Sequence, residues 1–352
     1  MKKRLYQYLA VLFVFLLLIV SCSMFGDDSS DPSFDSETEL FEDEEDDEED
    51  EDQEQEQEEE DALPEPSVVL LSGLVISETE IVFEFSMPVN LLSLSFHPNM
   101  EVFDSLQDGS TVTVILEEEL EPGFRFVAEL DLEDEQENFF NKQVSLISRN
   151  ERFPDLLINE LRTEYSGSPF RDEYIEFRML SDGNLGGLRV FIASNPNNPL
   201  VYEFSPFEVK EDEYVVLYLR TPTSIQVPQN DRIFQVPGSS KWLRKTDAVY
   251  VMDLDDQVLA AVMISENPGA SWSHAHFSAA AELLFAQGAW TSPSGGAGTP
   301  NDAVSSADIR TSTTRSISRD ETVDDTRTAA DWYVTANSGA TPGFENDTRR
   351  FN

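Results

Sequence analysis

The chain has 352 residues, with 69 Asp and Glu against 23 Lys and Arg, a formal charge of −46, three His and a single Cys. A field of that sign repels phosphate backbones and anionic headgroups, which excludes nucleic acid as a partner and favours cations and basic proteins. One cysteine excludes an internal disulfide, so any folded part is held by packing alone.

The chain opens on Lys2, Lys3 and Arg4, then runs through the uncharged apolar stretch from Leu9 to Val20. A basic start, an apolar middle of roughly 7–15 residues and a small-residue cleavage site make a secretory signal. A spanning helix needs about 20 apolar residues, which this run lacks; an uncleaved signal anchor is the alternative. Residues 22–66 read as a disordered acidic tether. From Glu42 to Asp61, 17 of 20 residues are acidic and the other three are Gln. Such a segment cannot bury enough apolar surface to offset chain entropy, and its like charges extend it. A low-affinity calcium store or a patch for basic partners is the sharper reading, since carboxylates are hard oxygen ligands, though nothing fixes their geometry.

From Ser67 the pattern changes. The runs Val68–Leu71, Glu80–Phe85, Thr111–Leu116 and Phe124–Leu130 are rich in β-branched and aromatic residues and several alternate with polar neighbours, as half-buried strands do. Met87-Pro88, Gln107-Asp108-Gly109 and Glu121-Pro122-Gly123 punctuate them as turns. Residues 67–150 are therefore expected to form a small antiparallel β-sandwich. Residues 154–346 read as β again, with strands predicted over Leu156–Leu161, Glu173–Phe177, Leu188–Ile192, Tyr214–Tyr218, Ala248–Met252 and Val258–Val262. Within Glu173–Phe177, Glu173 and Glu176 must point outward or be paired. The stretch 275–315 holds a low-complexity Ser, Gly and Pro segment and is read as a long mobile surface loop.

Signals for chemistry are sparse. His274 and His276 stand two apart, so on a strand both face one side, half of a metal site; surface histidines are the plainer reading. Asp253, Asp255 and Asp256 open like a calcium loop but lack its Gly and its final Glu, which favours a turn. There is no G-x-S-x-G, Walker loop or H-E-x-x-H. Gly295-Gly296-Ala297-Gly298 has no strand before it and is a linker. The expectation is no enzyme, no cofactor and no catalytic residue.

Three resemblances add to this. Ile19-Val20-Ser21-Cys22 resembles the lipobox of bacterial lipoproteins, with Ile19 and Val20 departing from its usual residues. In that family the cysteine thiol is acylated and the leader, here residues 1–21, is cut before it. The stretch Ile81–Val89 resembles the "FSxPV" strand of bacterial Ig-like domains, whose role is usually spacing or adhesion. The third is the lamin-tail domain. Its "INE" strand matches Ile158-Asn159-Glu160 and its "DEYIEL" strand matches Asp172–Phe177. Asn184–Leu188, Tyr214–Leu217 and the hairpin from Thr246 to Val258 follow in the family's order. Ser316–Arg319, Asp331-Trp332 and Thr341-Pro342-Gly343-Phe344-Glu345-Asn346 complete it. Leu188 stands where Trp is usual, and Asp255-Asp256-Gln257 where Gly is usual.

The lamin-tail resemblance implies an Ig-like sandwich that binds or anchors. For Glu160 and Glu176 two uses stay open. One is structural, with the carboxylates accepting backbone N–H groups or pairing with an arginine such as Arg319. The other is a calcium site built from Glu160, Asp172 and Glu176, which needs six to eight oxygens. The chromatin binding of the eukaryotic family is not carried over, because residues 151–352 hold 17 basic against 29 acidic side chains. The combined expectation is an all-β chain: two Ig-like β-sandwiches (67–150 and 154–346) after a signal peptide and a disordered tether. It would be a lipoprotein of the bacterial cell envelope, on the periplasmic face or the cell surface. It would be held in a membrane by lipid on Cys22 and would bind an envelope or surface protein or a glycan. A passive envelope spacer is the alternative, and a metal-dependent hydrolase using His274 and His276 is the remote one.

Overall fold

A computed structural model describes residues 68–351, apart from 164–172, 196, 221–230, 239–242, 270, 293–297 and 308–314. The leader, Cys22, the acidic tether and Asp172 lie outside the described residues. The chain is all-β. The first seven strands are β1 (Leu70–Val75), β2 (Glu80–Phe85), β3 (Asn90–His97), β4 (Val102–Asp108), β5 (Thr111–Leu116), β6 (Arg125–Glu133) and β7 (Phe139–Ile147). They form a four-stranded sheet of order β1-β2-β5-β4 and a three-stranded sheet of order β3-β6-β7. Lettered A to G, that is ABED on CFG, the arrangement of a constant-type immunoglobulin sandwich. Alternation decides which residues go inside. Ile81, Phe83 and Phe85 from β2 meet Val112, Val114 and Leu116 from β5 and Phe126, Ala128, Leu130 and Leu132 from β6. Each large side chain buried this way contributes about 1.5–3 kcal/mol, which is how a sandwich without a disulfide holds.

The second core is larger and lies between two mixed sheets. One has the order β15-β14-β9-β8-β19-β20, built from β8 (Leu156–Arg162), β9 (Tyr174–Met179), β14 (Tyr214–Tyr218), β15 (Ile233–Gln235), β19 (Ile317–Arg319) and β20 (Trp332–Val334). The other has the order β12-β11-β16-β17-β18, from β11 (Arg189–Ile192), β12 (Leu200–Glu203), β16 (Asp247–Met252), β17 (Val258–Ser265) and β18 (Val304–Ser305). A two-stranded ribbon of β10 (Gly183–Asn184) and β13 (Glu208–Val209) completes the strands. Leu188, the residue standing in for the expected Trp, is buried in this core. No helix among the described residues is long and apolar enough to cross a membrane.

Residues 275–315 are not simply the mobile loop that their sequence suggests. They begin with a helix, α1 (Ala275–Ala286), that packs on β16 and β17 and buries Phe277, Ala280, Ala281 and Leu284. Those four sit at i, i+3, i+4 and i+7, one face of a helix built from strong helix formers. Gly288 ends it at φ +67°, where a side chain would strain the backbone. Trp290 follows, buried, its indole N–H donating to Asp302 O at 3.0 Å. Thr299 and Asp302 close a reciprocal capping box around the turn Pro300–Asp302. With α1 on one side and the facing sheet on the other, every residue of β16 is buried.

The two sandwiches meet through backbone. A Cβ on Gly123 would lie 1.9 Å from the carbonyl carbon of Gly186, and one on Gly186 would lie 2.0 Å from Pro122 O. Gly123 also has φ +68°. Asn150 bridges the junction, donating to the carbonyls of Asn184 and Gly186 at 2.8 Å each. Arg125 of β6 grips Glu203 of β12 with two N–H groups, at 2.5 and 2.7 Å. Gly123→Ala is expected to destabilise by about 1–3 kcal/mol, combining a left-handed backbone position with overlap against fixed backbone. A urea midpoint unchanged from the parent would show that the junction yields.

Candidate functional site

The family-like motif pieces converge on the outer face of the six-stranded sheet. In β8 the register slips between Ile158 and Glu160, making Asn159 the extra residue of a β-bulge. The bulge keeps Ile158 and Leu161 in the apolar core while turning Glu160 to the opposite face. There Glu160 pairs directly across from Glu176 of β9, and both are fully buried. Like charges facing each other on adjacent strands are unfavourable even in water, and burial amplifies the cost.

Donors from distant segments answer it. Glu160 accepts from Ser316 Oγ at 2.5 Å, Ser318 Oγ at 3.0 Å, the Thr341 N–H at 3.1 Å and the Tyr174 hydroxyl. Glu176 accepts from Asn159 Nδ2 at 2.9 Å and from the Gly343 N–H at 2.5 Å. The same Asn159 amide donates at 3.0 Å to a third carboxylate, Glu321, which also takes Arg178 at 3.2 Å, the Tyr214 hydroxyl at 2.7 Å and the Asn346 N–H at 2.9 Å. The Asn346 side chain clamps the carbonyls of Asn159 and Arg319 at 3.2 and 3.0 Å. The segment Thr341–Asn346 thus ties the sheet's outer face with its backbone.

Burial pushes the Glu160 carboxyl up, against the pull of its donors from Ser316, Tyr174, Thr341 and Ser318. Burial pushes Glu176 well above the usual carboxylate range, and the facing Glu160 charge pushes it further. Tyr174 is raised by burial and by the two carboxylates beside it. Both carboxyls therefore hold a proton more readily than a free glutamate, Glu176 the more so because it faces the Glu160 charge and has fewer donors. Two buried carboxyls facing each other behind a hydrogen-bonded strap make a clasp. Both residues are closed off from solvent, each with 0% exposure.

The oxygens of Glu160 and Glu176 accept N–H and O–H donors, as the structural use has them; Asp172, the third residue of the calcium alternative, lies outside the described residues. The arginine pairing has a different owner. Arg319 bonds Asp325 at 2.8 Å and Asp331 at 3.3 Å beneath the Trp332 ring, and does not pair with Glu160 or Glu176. Glu173 does not point outward. It is buried, accepts the Leu243 N–H at 2.5 Å and lies 3.4 Å from Arg220.

His274 and His276 are not on a strand. His274 is the N-cap of α1, and the two rings stack at 5.2 Å with planes 8° apart, a contact rather than a chelate. Asp253 accepts the N–H groups of Asp255 and Gln257 at 2.9 Å each, and Asp256 takes φ +61° where the family pattern has Gly. That segment is the turn of the β16–β17 hairpin, tied to β11 by Arg189 on Asp256 at 2.7 Å.

The family model described as the TP_1001 protein second domain matches residues 154–334. No curated protein matches the chain. Among solved structures the chain is similar to the N-terminal part of the bacterial S-layer protein SbsC, at 13% identity over 57% of this chain and 44% of that one, with a TM-score of 0.24. It is also similar to a DUF4876 family protein from Bacteroides thetaiotaomicron VPI-5482, at 11% identity over 52% of this chain and 75% of that one, with a TM-score of 0.23. The chain spans less than half the length of the S-layer structure.

Proposed function

The chain belongs to the family of the TP_1001 protein second domain, and from the way that domain is built we propose that it is a non-catalytic, lipid-anchored component of a bacterial cell envelope. In this reading residues 1–21 direct export, Cys22 carries the lipid and the acidic tether holds two sandwiches away from the membrane. The second sandwich is similar to a lamin-tail domain and binds a protein or a glycan through its loops or a sheet edge. One observation carries the non-catalytic part. The residues with the most specific motif, Glu160, Glu176 and Thr341–Asn346, are spent on each other inside the fold. A motif that closes on itself stabilises a module, and recognition is left to its surface.

The anchor is tested by Cys22→Ala in cells. Lipid labelling is expected to vanish and the protein to move from the membrane to the soluble fraction. Unchanged membrane retention with an uncut leader would instead make residues 1–21 an anchor. Millimolar calcium is expected to leave the thermal midpoint where it was, because donors occupy the Glu160 and Glu176 oxygens. A rise in the midpoint with calcium would reverse that assignment.

A further inference from the structure

The four-stranded sheet of the first sandwich ends on β4, and all seven residues of that strand are exposed. Val102 is 39% exposed, Phe103 75% and Leu106 59%. Phe103 is the extra residue where the register shifts between Val102 and Asp104, so its ring has no partner across the pair. The apolar character continues over the sheet's outer face: Leu106 lies opposite Thr113, Thr113 opposite Val82, and Val82 opposite Leu74, itself 55% exposed. An edge strand is a template for another strand, and proteins ordinarily blunt it with Lys or Pro. β4 has neither.

A cavity of about 350 Å³ opens where β4 begins. Its apolar floor includes Met100, Leu120 and Phe124, and its rim includes Glu101, Glu118 and Glu119. Between Val68 and Phe124 the chain has ten Asp and Glu and no Lys or Arg. The crowding registers at Glu117, whose carboxyl is raised by a hydrogen bond with, and the charge of, Glu101.

We propose that β4 is a docking edge for an extended, cationic and amphipathic segment of a partner protein, which adds beside β4 as a fifth strand and places a Lys or Arg side chain in the acid-rimmed cavity. Backbone pairing and the apolar row provide affinity, while the carboxylates of the rim select the sign of the partner. A long basic side chain suits the cavity because its methylene stem lies on an apolar floor and its charge reaches the rim. A second copy of this chain fits worse, since it brings the same acidic rim to the contact.

The test is hydrogen exchange on the full-length chain, read on fragments covering Val102–Asp108, with and without a short acetylated peptide of alternating lysine and valine. The acidic tether will also attract this probe, so binding alone is not the readout. Exchange across β4 is expected to slow about tenfold at saturating peptide. Leu106→Lys, at an exposed position that leaves the core intact, is expected to remove the protection while tether binding persists. Glu118→Gln with Glu119→Gln is expected to raise the peptide concentration needed for protection about tenfold. Unchanged β4 exchange at saturating peptide would overturn the proposal. So would β4 protection that grows with protein concentration in the absence of peptide, which would make a second copy the occupant.

Discussion

Replacing Glu160 by alanine is expected to lower the stability of the second sandwich by about 3–5 kcal/mol, the cost of leaving several buried donors unpaired. The side chain is fully buried, and its carboxylate is the acceptor for Tyr174, Ser316, Ser318 and the Thr341 backbone. Truncation strands all four. The serines recover part of the loss, because Ser316 already lies 3.1 Å from both Ser318 and Thr335 and their hydroxyls can turn to one another. Tyr174 and the Thr341 N–H have no such recourse once the carboxylate is gone. With a typical stability of about 5–15 kcal/mol, a loss of this size leaves the sandwich marginal. Urea denaturation followed by tryptophan fluorescence measures it, Trp290 and Trp332 both being buried in this core. A loss below about 1 kcal/mol, the worth of a single ordinary hydrogen bond, would mean that the clasp contributes little.

Stability is also expected to fall as pH rises from about 5 to 8, opposite to ordinary acid denaturation. The sign follows from proton counts. Glu160 and Glu176 have native values raised above the unfolded value of 4.5, so between the two values the native state holds more protons than the unfolded chain. Raising pH then pulls the equilibrium toward unfolding, with a limit of about 1.4 kcal/mol per pH unit for each proton of difference. The decline begins near the unfolded glutamate value and ends once pH passes the native one. Asp247, fully buried and pushed from 3.8 up to about 7, adds to it in the same direction. Carboxyls held below their usual range, such as Asp302 by Ser292 and Thr299 despite the opposing effect of burial, act in the opposite sense. Their stabilisation is complete above the unfolded value and is lost as pH falls through the native one. Other charged or titratable groups around the pair are Glu321, Arg178, Tyr174 and Tyr214. Glu176→Gln keeps an oxygen for the Gly343 N–H and removes the repelling charge. It is expected to flatten the pH profile and to raise the thermal midpoint at about pH 8 above that of the parent. An unchanged slope in this variant would show that Glu176 does not set the pH dependence.

Strands that alternate around a buried face, such as β2 and β5, or that run apolar throughout, such as β14, were legible from sequence and fall on their expected residues. β3, β4 and β7 were not, because at most one side chain of each is buried and the inward half of the alternation is weak or absent. The α1 helix left a readable signal, Phe277, Ala280, Ala281 and Leu284 at helical spacing, masked by the Gly and Ser segment that follows it. At the clasp, Glu160, Glu176 and the Thr341–Asn346 segment stood out as motif pieces, but their mutual contact did not. Glu321 gave no sign at all. Its partners Asn159, Arg178 and Tyr214 come from three other strands, and such a site exists only once the sheet has been assembled.

The clasp also carries a delay. Glu160 receives the Thr341 N–H from 181 residues downstream, a span that takes about 10–35 s to synthesise at roughly 5–20 residues per second. Through that interval the β8–β9 hairpin has two glutamates side by side with only its own Asn159 and Tyr174 to serve them, and closing so long a loop is slow in its own right. The second sandwich therefore finishes late, its last contact waiting on a segment near the end of the domain.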